Sequence, residues 1–301
     1  MKIGYFADGP WSHKALEKIL QDKDHEVCFI VPRFDSQDPI LKDMAFEYNI
    51  DFLPMENVND SASIKKLGHY KSDIYISMSF NQILKREILQ SCEKGFINCH
   101  AGALPFYRGR NILNWALIND EKEFGVTVHH VDEGIDTGDI IIQKMVEIND
   151  SDNYASLLDK ATTVCSELLY EAILDIAAGK ANRIPQDTIH PVGFYCCRRK
   201  EGDEWINWNW SSRRIFNFVR AITHPGPCAR TGFNGEIISV PRAELICDAP
   251  SYIGVPGEVT FKGSNFFDVK TGDTTLKIFP QKLEKDIFKD LRIGSRLGEA
   301  I

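Results

Sequence analysis

Lys2-Ile3-Gly4-Tyr5-Phe6-Ala7-Asp8-Gly9-Pro10-Trp11-Ser12-His13-Lys14-Ala15-Leu16 opens the chain. The run from Lys2 to Ala7 is almost continuously apolar, the signature of a strand covered on both faces. Asp8-Gly9-Pro10 breaks it as a turn, and Ser12 is placed to cap a helix carrying Leu16, Ile19 and Leu20 on one side. Val27 to Val31 then reads as a second strand. Strand, turn, helix, strand is a βαβ unit, and the pattern continues. A helix is expected around Pro39 to Tyr48, and strands at Ile74–Met78, Phe96–Cys99, Val126–Val131 and Ile140–Ile148. Tyr154 to Ala178 shows apolar residues at helical spacing and stops at Gly179. The first half is therefore expected to be a Rossmann-like α/β domain, a mainly parallel sheet with helices on both faces.

The character of the chain changes after about Asn182. A stretch rich in Pro, Arg, Lys and Gly leads to Trp205, Trp208 and Trp210, then to a helix starting near Ser211 with Ile215, Val219 and Ile222 on one side. Short runs punctuated by Gly and Pro follow, at Gly235–Val240, Ala243–Cys247, Gly257–Phe261, Phe266–Val269 and Thr275–Phe279. These predict a small C-terminal β-barrel of OB-like type. The expected division is a catalytic domain over 1–185, a linker over 186–204 and a β domain over 205–301.

Bulk properties narrow the function. A chain of 301 residues has room for two cores. The formal net charge of −8 argues against a general nucleic-acid binder, and over 201–301 the 13 basic and 13 acidic side chains balance. None of the eight cysteines forms a C-x-x-C pair, and no His cluster has the spacing of a zinc site, so no metal is expected. The adjacent Cys196 and Cys197 read as reduced thiols of a cytosolic protein. The N-terminal run is too polar for a signal peptide, and no stretch has the ~20 apolar residues of a membrane span. A soluble, cytoplasmic protein is expected.

The chemistry concentrates in Phe96-Ile97-Asn98-Cys99-His100-Ala101-Gly102-Ala103-Leu104-Pro105-Phe106-Tyr107-Arg108-Gly109. Alternation along a strand puts Asn98 and His100 on one face and Cys99 on the other. Gly102 and Pro105 end the strand and leave His100 at its C-terminal edge, where open α/β sheets bind ligands. Downstream, Val131-Asp132-Glu133-Gly134-Ile135-Asp136-Thr137-Gly138-Asp139 forms an acidic, glycine-containing loop after an apolar strand. Acyl transfer to an amine needs a proton acceptor, a donor to the oxyanion and an orienting group. Imidazole, amide and carboxylate supply these in principle. Taken singly, each has a structural explanation as well: a satisfied histidine, a strand-end turn and an Asx turn.

Taken together, these residues carry a resemblance. Asn98-Cys99-His100, then Leu104-Pro105-x-Tyr107-Arg108-Gly109, and later Ile135-Asp136-Thr137-Gly138-Asp139 resemble the signature of the folate-dependent formyltransferases. That family includes methionyl-tRNA, glycinamide ribonucleotide and sugar-nucleotide formyltransferases. Cys99 and Ala101-Gly102-Ala103 replace more usual residues without removing a chemical group. The resemblance implies Asn98, His100 and Asp136 as catalytic trio and 10-formyltetrahydrofolate as donor. It also implies that main-chain groups hold the pterin near Gln82, Ile83 and Leu84 and along the loop containing Val131, Asp132 and Glu133.

Arg110-Asn111-Ile112-Leu113-Asn114-Trp115-Ala116-Leu117-Ile118-Asn119 and Gly125-Val126-Thr127-Val128-His129 are most similar, on this reading, to enzymes that formylate nucleotide-linked 4-amino sugars. A nucleotide sugar, UDP-linked by preference over dTDP-linked, is thus the expected acceptor, in the service of cell-surface glycan synthesis. Trp11, Tyr107 and Arg110 are its candidate contacts, by stacking on a base or pairing with a diphosphate. Tyr107 and Arg108 have packing and loop-anchoring as their other role. A methionyl-tRNA acceptor is the alternative, opposed by the balanced charge of the second domain. A hydrolase releasing formate from the same folate is another, and a non-catalytic nucleotide-binding module is a third. The resemblance further implies a homodimer formed through the C-terminal domain.

Overall fold

The computed structural model describes residues 1–281 and 289–298. Fifteen strands and seven α-helices follow one another in these residues. The first unit is built on β1 (Lys2–Ala7), α1 (Gly9–Leu20), β2 (Glu26–Val31), α2 (Pro39–Glu47), β3 (Asp51–Phe52), α3 (Ser61–Gly68), β4 (Ile74–Met78), α4 (Arg86–Leu89) and β5 (Phe96–His100). The chain continues through the short β6 (Arg108–Gly109), α5 (Ile112–Ile118), β7 (Glu123–His130), β8 (Ile140–Glu147), α6 (Tyr154–Ala177) and β9 (Tyr195–Cys196). The main sheet has the order β3-β2-β1-β4-β5-β7-β8. Pairing is parallel from β3 through β5 and turns antiparallel where β5 meets β7.

The apolar strands are buried as their composition requires. Ile3, Tyr5, Phe6, Phe29, Ile30, Ile74, Ile76 and Ile97 all lie in the core. Tyr5, Phe6, Phe29, Tyr75 and Phe96 leave little room between strands. A Cβ on Gly4 would stand 2.3 Å from the Phe29 ring, so only glycine lets β1 pass there. Along α6 the expected stripe is buried at Leu157, Ala161, Cys165, Leu168, Leu169, Ala172, Ile173 and Ile176, and half-buried at Leu158.

Helix α1 corrects one detail of the sequence reading. It starts at Gly9 with Asp8 as N-cap, not at Ser12, because Pro10 occupies the first turn, where its missing N–H costs nothing. Ser12 instead lies buried inside the helix, its hydroxyl donating to the Gly9 carbonyl at 2.7 Å.

The chain divides into two compact units that do not follow a single cut. One comprises Met1–Ile112, Phe124–Val146 and Asp159–Cys196; the other comprises Leu113–Glu123, Glu147–Leu158 and Cys197–Ile301. In the second, α7 (Ser212–Ile222) begins at the expected Ser211 cap, whose side chain accepts from the Arg214 amide. It packs with a ribbon of β10 (Ala229–Phe233) and β11 (Glu236–Val240) and with an antiparallel sheet ordered β12-β15-β14-β13. Its strands are β12 (Arg242–Leu245), β13 (Val259–Lys262), β14 (Phe267–Lys270) and β15 (Thr275–Phe279). Strand β10 escaped the sequence reading because Ala229-Arg230-Thr231-Gly232-Phe233 has weak strand composition; its partner β11 holds it. Trp208 is core packing: its ring is buried and its indole N–H donates to Thr231 Oγ1 at 3.0 Å. Residues 282–288 and 299–301 of the expected β domain lie outside the described residues.

Candidate functional site

Strand β5 carries Asn98 and His100 on one face, as alternation requires. Cys99 points the other way, its thiol donating to the Cys165 carbonyl of α6 at 3.7 Å. The antiparallel register sets Asn98 opposite His129 and His100 opposite Thr127. The turn after β5 is pinned by Thr127, whose hydroxyl donates to the Gly102 carbonyl at 2.6 Å. Gln143 adds Nε2 donations to Leu104 O at 2.9 Å and to Thr127 Oγ1 at 2.8 Å.

His100 is held by that turn. Its Nε2 lies 2.7 Å from the Tyr107 carbonyl. A carbonyl only accepts, so Nε2 carries the hydrogen and Nδ1 presents its lone pair. Nδ1 in turn faces Asp136 Oδ2 at 3.6 Å. A Cβ on Gly102 would sit 2.5 Å from both His100 Nε2 and the Tyr107 oxygen, so the glycine is required for this hydrogen bond to form.

Asp136 adopts φ +55° in the loop after β7, and three groups converge on its carboxylate. The Gly109 amide donates to Oδ2 at 2.9 Å, His100 Nδ1 lies 3.6 Å from the same oxygen, and His129 Nε2 lies 3.6 Å from Oδ1. Burial raises the pKa of this carboxyl, but the two imidazoles and the Gly109 amide outweigh it and hold it well below the usual carboxylate range. For His100 the balance is reversed. Burial lowers its pKa more than Asp136 and the Tyr107 carbonyl raise it, so the imidazole stays neutral. The site is thus an ionised carboxylate beside a neutral imidazole with a bare nitrogen, next to a half-buried primary amide.

The loop bearing Asp136 rests on Gln186. Gln186 Nε2 donates to the Asp136 carbonyl at 2.9 Å and to the Gly138 carbonyl at 2.8 Å, and its Oε1 accepts from Arg108 Nε at 3.0 Å and Nη2 at 2.6 Å. The segment expected as a linker therefore reaches into the site. It also supplies β9, which pairs with β6 beside the Asp136 contact at Gly109. Neither Gln186 nor His129 was singled out from sequence. The one available signal for His129 was its place at the end of an apolar strand, opposite the Asn98 strand.

One of the two expected folate-holding segments lines a surface depression. This open, shallow depression of about 480 Å³ is lined by Arg86, Leu89, Gln90, Val131, Asp132, Glu133 and Gly134. It includes three of the expected residues and neither the trio nor Gln82, Ile83 and Leu84. Gln82 is an internal brace, with Oε1 accepting from the Val58 amide at 3.0 Å and Nε2 donating to Met55 O at 2.9 Å. Leu84 is buried; Ile83 is exposed, but its carbonyl accepts from Asn59 Nδ2 at 3.0 Å. The Val131 amide donates to Phe96 O at 2.9 Å, and Asp132 Oδ1 accepts from Thr137 and from the Gly134 amide, shaping the loop. Glu133 lies exposed, 4.0 Å from Arg86.

Of the expected acceptor contacts, Tyr107 is corrected. Its ring is only 8% exposed and packs edge-on against Phe194 at 4.7 Å, so it offers no platform for a base. Arg110 is exposed next to β6, and Trp11 is half-buried in the first turn of α1. Arg108 is a loop anchor, through Gln186.

Residues 12–173 match the family model described as formyl transferase, and residues 199–289 match the formyl transferase C-terminal domain. The chain is 39% identical to a methionyl-tRNA formyltransferase of Thermodesulfovibrio yellowstonii, over 94% of this chain and 93% of that one. It is 32% identical to a methionyl-tRNA formyltransferase of Fusobacterium nucleatum, over 99% and 100%. Among solved structures it is similar to the N-formyltransferase of Helicobacter canadensis in complex with folinic acid and dTDP-3-aminofucose. There the TM-score is 0.69, at 22% identity over 93% of this chain and 99% of that one. These findings correct the acceptor read from the sequence. The likeness to a sugar enzyme lies in the fold, whereas sequence likeness over the full length runs to methionyl-tRNA enzymes. The expected nucleotide-sugar partner and the exclusion of nucleic acid fall with it. The physical error was to let a charge sum stand for a surface, since a balanced total says nothing about how charge is distributed. Among the described residues, no helix is long and apolar enough to cross a membrane.

Proposed function

The chain belongs to the formyl transferase family, and on that premise we propose that it moves a formyl group from 10-formyltetrahydrofolate to the amine of methionyl-tRNA. The observation that carries this reading is the 39% identity with a methionyl-tRNA formyltransferase across nearly the whole of both chains, second unit included. The depression beside Val131–Gly134, adjoining the carboxylate loop, is where the donor is proposed to lie.

The donor supplies an electrophilic formyl carbon and a nitrogen leaving group. The protein's own part is protonic and electrostatic. His100 Nδ1, bare because Nε2 is engaged by the Tyr107 carbonyl, takes the proton that the attacking amine must lose. Asp136, already ionised and 3.6 Å away, stabilises the imidazolium so formed, which then returns the proton to the donor nitrogen as its bond to the formyl carbon breaks. Asn98 donates an amide hydrogen to the oxygen on which negative charge develops. Gly109 and Gln186 hold the Asp136 loop still, so that little reorganisation is needed during the reaction.

The test is to incubate the protein with 10-formyltetrahydrofolate and charged initiator methionyl-tRNA, following tetrahydrofolate release and the mass of the aminoacyl group. Formylmethionine on the tRNA, abolished in His100→Ala, is the expected result. Folate turnover without tRNA, or none with it, would overturn the assignment.

A further inference from the structure

His129 plays no part in the chemistry described so far, yet its surroundings are as constrained as those of the trio. Its side chain is 2% exposed. Its Nδ1 lies 2.7 Å from the His130 carbonyl, which can only accept, so Nδ1 carries the hydrogen and Nε2 is a bare acceptor. Facing that lone pair, at 3.2 Å, is the amide nitrogen of Asn98, which can only donate. The antiparallel register makes the two residues direct cross-strand partners. The His130 carbonyl fixes the hydrogen on Nδ1, and the bare Nε2 then accepts from the Asn98 amide nitrogen, the nearest group to it.

We infer that His129 is a positioning residue that sets the amide plane of Asn98 and so aims its second N–H at the developing oxyanion. A primary amide can turn about its last torsion, and its two ends look alike in shape. With no acceptor at His129, the amide could equally present its oxygen to the reacting centre, replacing a donor by a repulsive acceptor. The lone pair of Nε2 admits only the nitrogen end, and Asn98 accordingly keeps one hydrogen on His129 and one for the substrate. Asp136 Oδ1 lies 3.6 Å from the same Nε2, beyond hydrogen-bond reach, so the Asn98 amide is the partner of that nitrogen. This inference rests on the proposed role of Asn98 as oxyanion donor.

The experiment combines a measurement on the intact protein with a double-mutant cycle. In the wild type, the ¹⁵N shifts of His129 should report hydrogen on Nδ1 and none on Nε2 at neutral pH. The opposite tautomer would overturn the proposal, because Nε2–H cannot accept from Asn98. In the cycle, His129→Leu and His129→Met should lower kcat by about 10²-fold with KM for both substrates within about twofold, as misaimed groups do. His129→Gln, whose oxygen can accept from Asn98, should recover most of that loss. Added to Asn98→Ala, the His129→Leu change should slow the enzyme no further. Additive losses, or a raised KM at unchanged kcat, would overturn it. If Asn98→Ala alone turns over like wild type, the fault lies in the oxyanion role and not in the positioning.

Discussion

Gln186 and Arg108 form a fork-to-amide pair beneath the Asp136 loop: two guanidinium nitrogens donate to one Gln186 oxygen, at 3.0 and 2.6 Å. The same Gln186 then spends its nitrogen on the Asp136 and Gly138 carbonyls. Gln186→Ala strands these buried partners, at about 1–3 kcal/mol for each group left unsatisfied. The expected result is a melting temperature several degrees lower and a kcat reduced about tenfold or more, since a small displacement of the carboxylate is enough to cost rate. Thermal melts and steady-state kinetics on the same preparation check both. A variant destabilised but fully active would show that the loop position is set elsewhere.

Asp136→Asn keeps the shape of the side chain and removes its charge. The contact to the Gly109 amide can survive through the remaining oxygen, while the imidazolium of His100 loses its counter-ion. We expect kcat to fall by ~10²-fold or more with little change in KM, because the charge is needed only once the proton has moved. Equal losses in kcat and in donor affinity would instead place Asp136 in the binding of folate.

The pH dependence has a definite sign. Burial lowers the pKa of His100, and that of His130 to about 4. Below the ordinary histidine pKa of about 6.5 the unfolded chain takes up protons that the native state refuses, so stability is full above that pH and is lost as pH falls toward 4. The activity should keep a plateau through neutral pH and fall on an acid limb below the ordinary histidine value, where His100 gains its proton. Asp136 raises the His100 pKa, so in Asp136→Asn the acid limb should move to lower pH. A limb that stays put would mean that it reports another group.

Much of this was legible in sequence, for physical reasons that also mark the limit. Strands buried on both faces must be apolar throughout, so β1, β2, β4 and β5 stand out. The spacing of Asn98 and His100 fixes their common face without any tertiary knowledge. His129 was not legible in the same way, because its role depends on β5 and β7 pairing antiparallel in one register. Gln186 sits in a stretch whose Pro and Gly content says only that it is not regular structure. The Ser12 cap was misread because Asp8, about one turn earlier, caps the helix with Pro10 in its first turn. Tyr107 looked like a stacking residue until Phe194 was seen to cover it.

Gly102→Ala tests whether the resting hydrogen bond of His100 matters apart from the imidazole itself. The added methyl would meet His100 Nε2 and the Tyr107 oxygen at 2.5 Å, so one of them must move. Thr127 and Gln143 hold the turn at two carbonyls, which leaves His100 the easier group to displace. We expect a folded protein with kcat lowered about 10²-fold, as for other small misplacements of a catalytic base. A crystal structure with the His100–Tyr107 contact intact, together with normal turnover, would refute this account.

In the second unit, Arg220 and Arg213 make a matched pair of substitutions. Arg220 is buried: one Nη donates to the carbonyls of Asn149 at 2.7 Å and Asp152 at 3.1 Å, and Nε donates to Asn217 Oδ1 at 3.0 Å. Arg213 is partly exposed and holds Asp120 and Asp150 as ion pairs, keeping the Asp120 carboxyl far below its usual range. The ion pairs look stronger on paper, but water competes for them, and such pairs contribute about 0–1 kcal/mol each. The Asp152 carbonyl facing Arg220 is buried with it, so Arg220→Met should cost about 1–3 kcal/mol for that acceptor left bare, besides a long ion pair with Asp120 at 4.0 Å. Arg220→Lys should restore little, since one ammonium on a flexible stem cannot reproduce the planar fork. Urea unfolding followed by tryptophan fluorescence should therefore show a larger midpoint shift for Arg220→Met than for Arg213→Met. The reverse order would mean that the ionic network, and not the buried carbonyl contacts, ties 147–158 to helix α7.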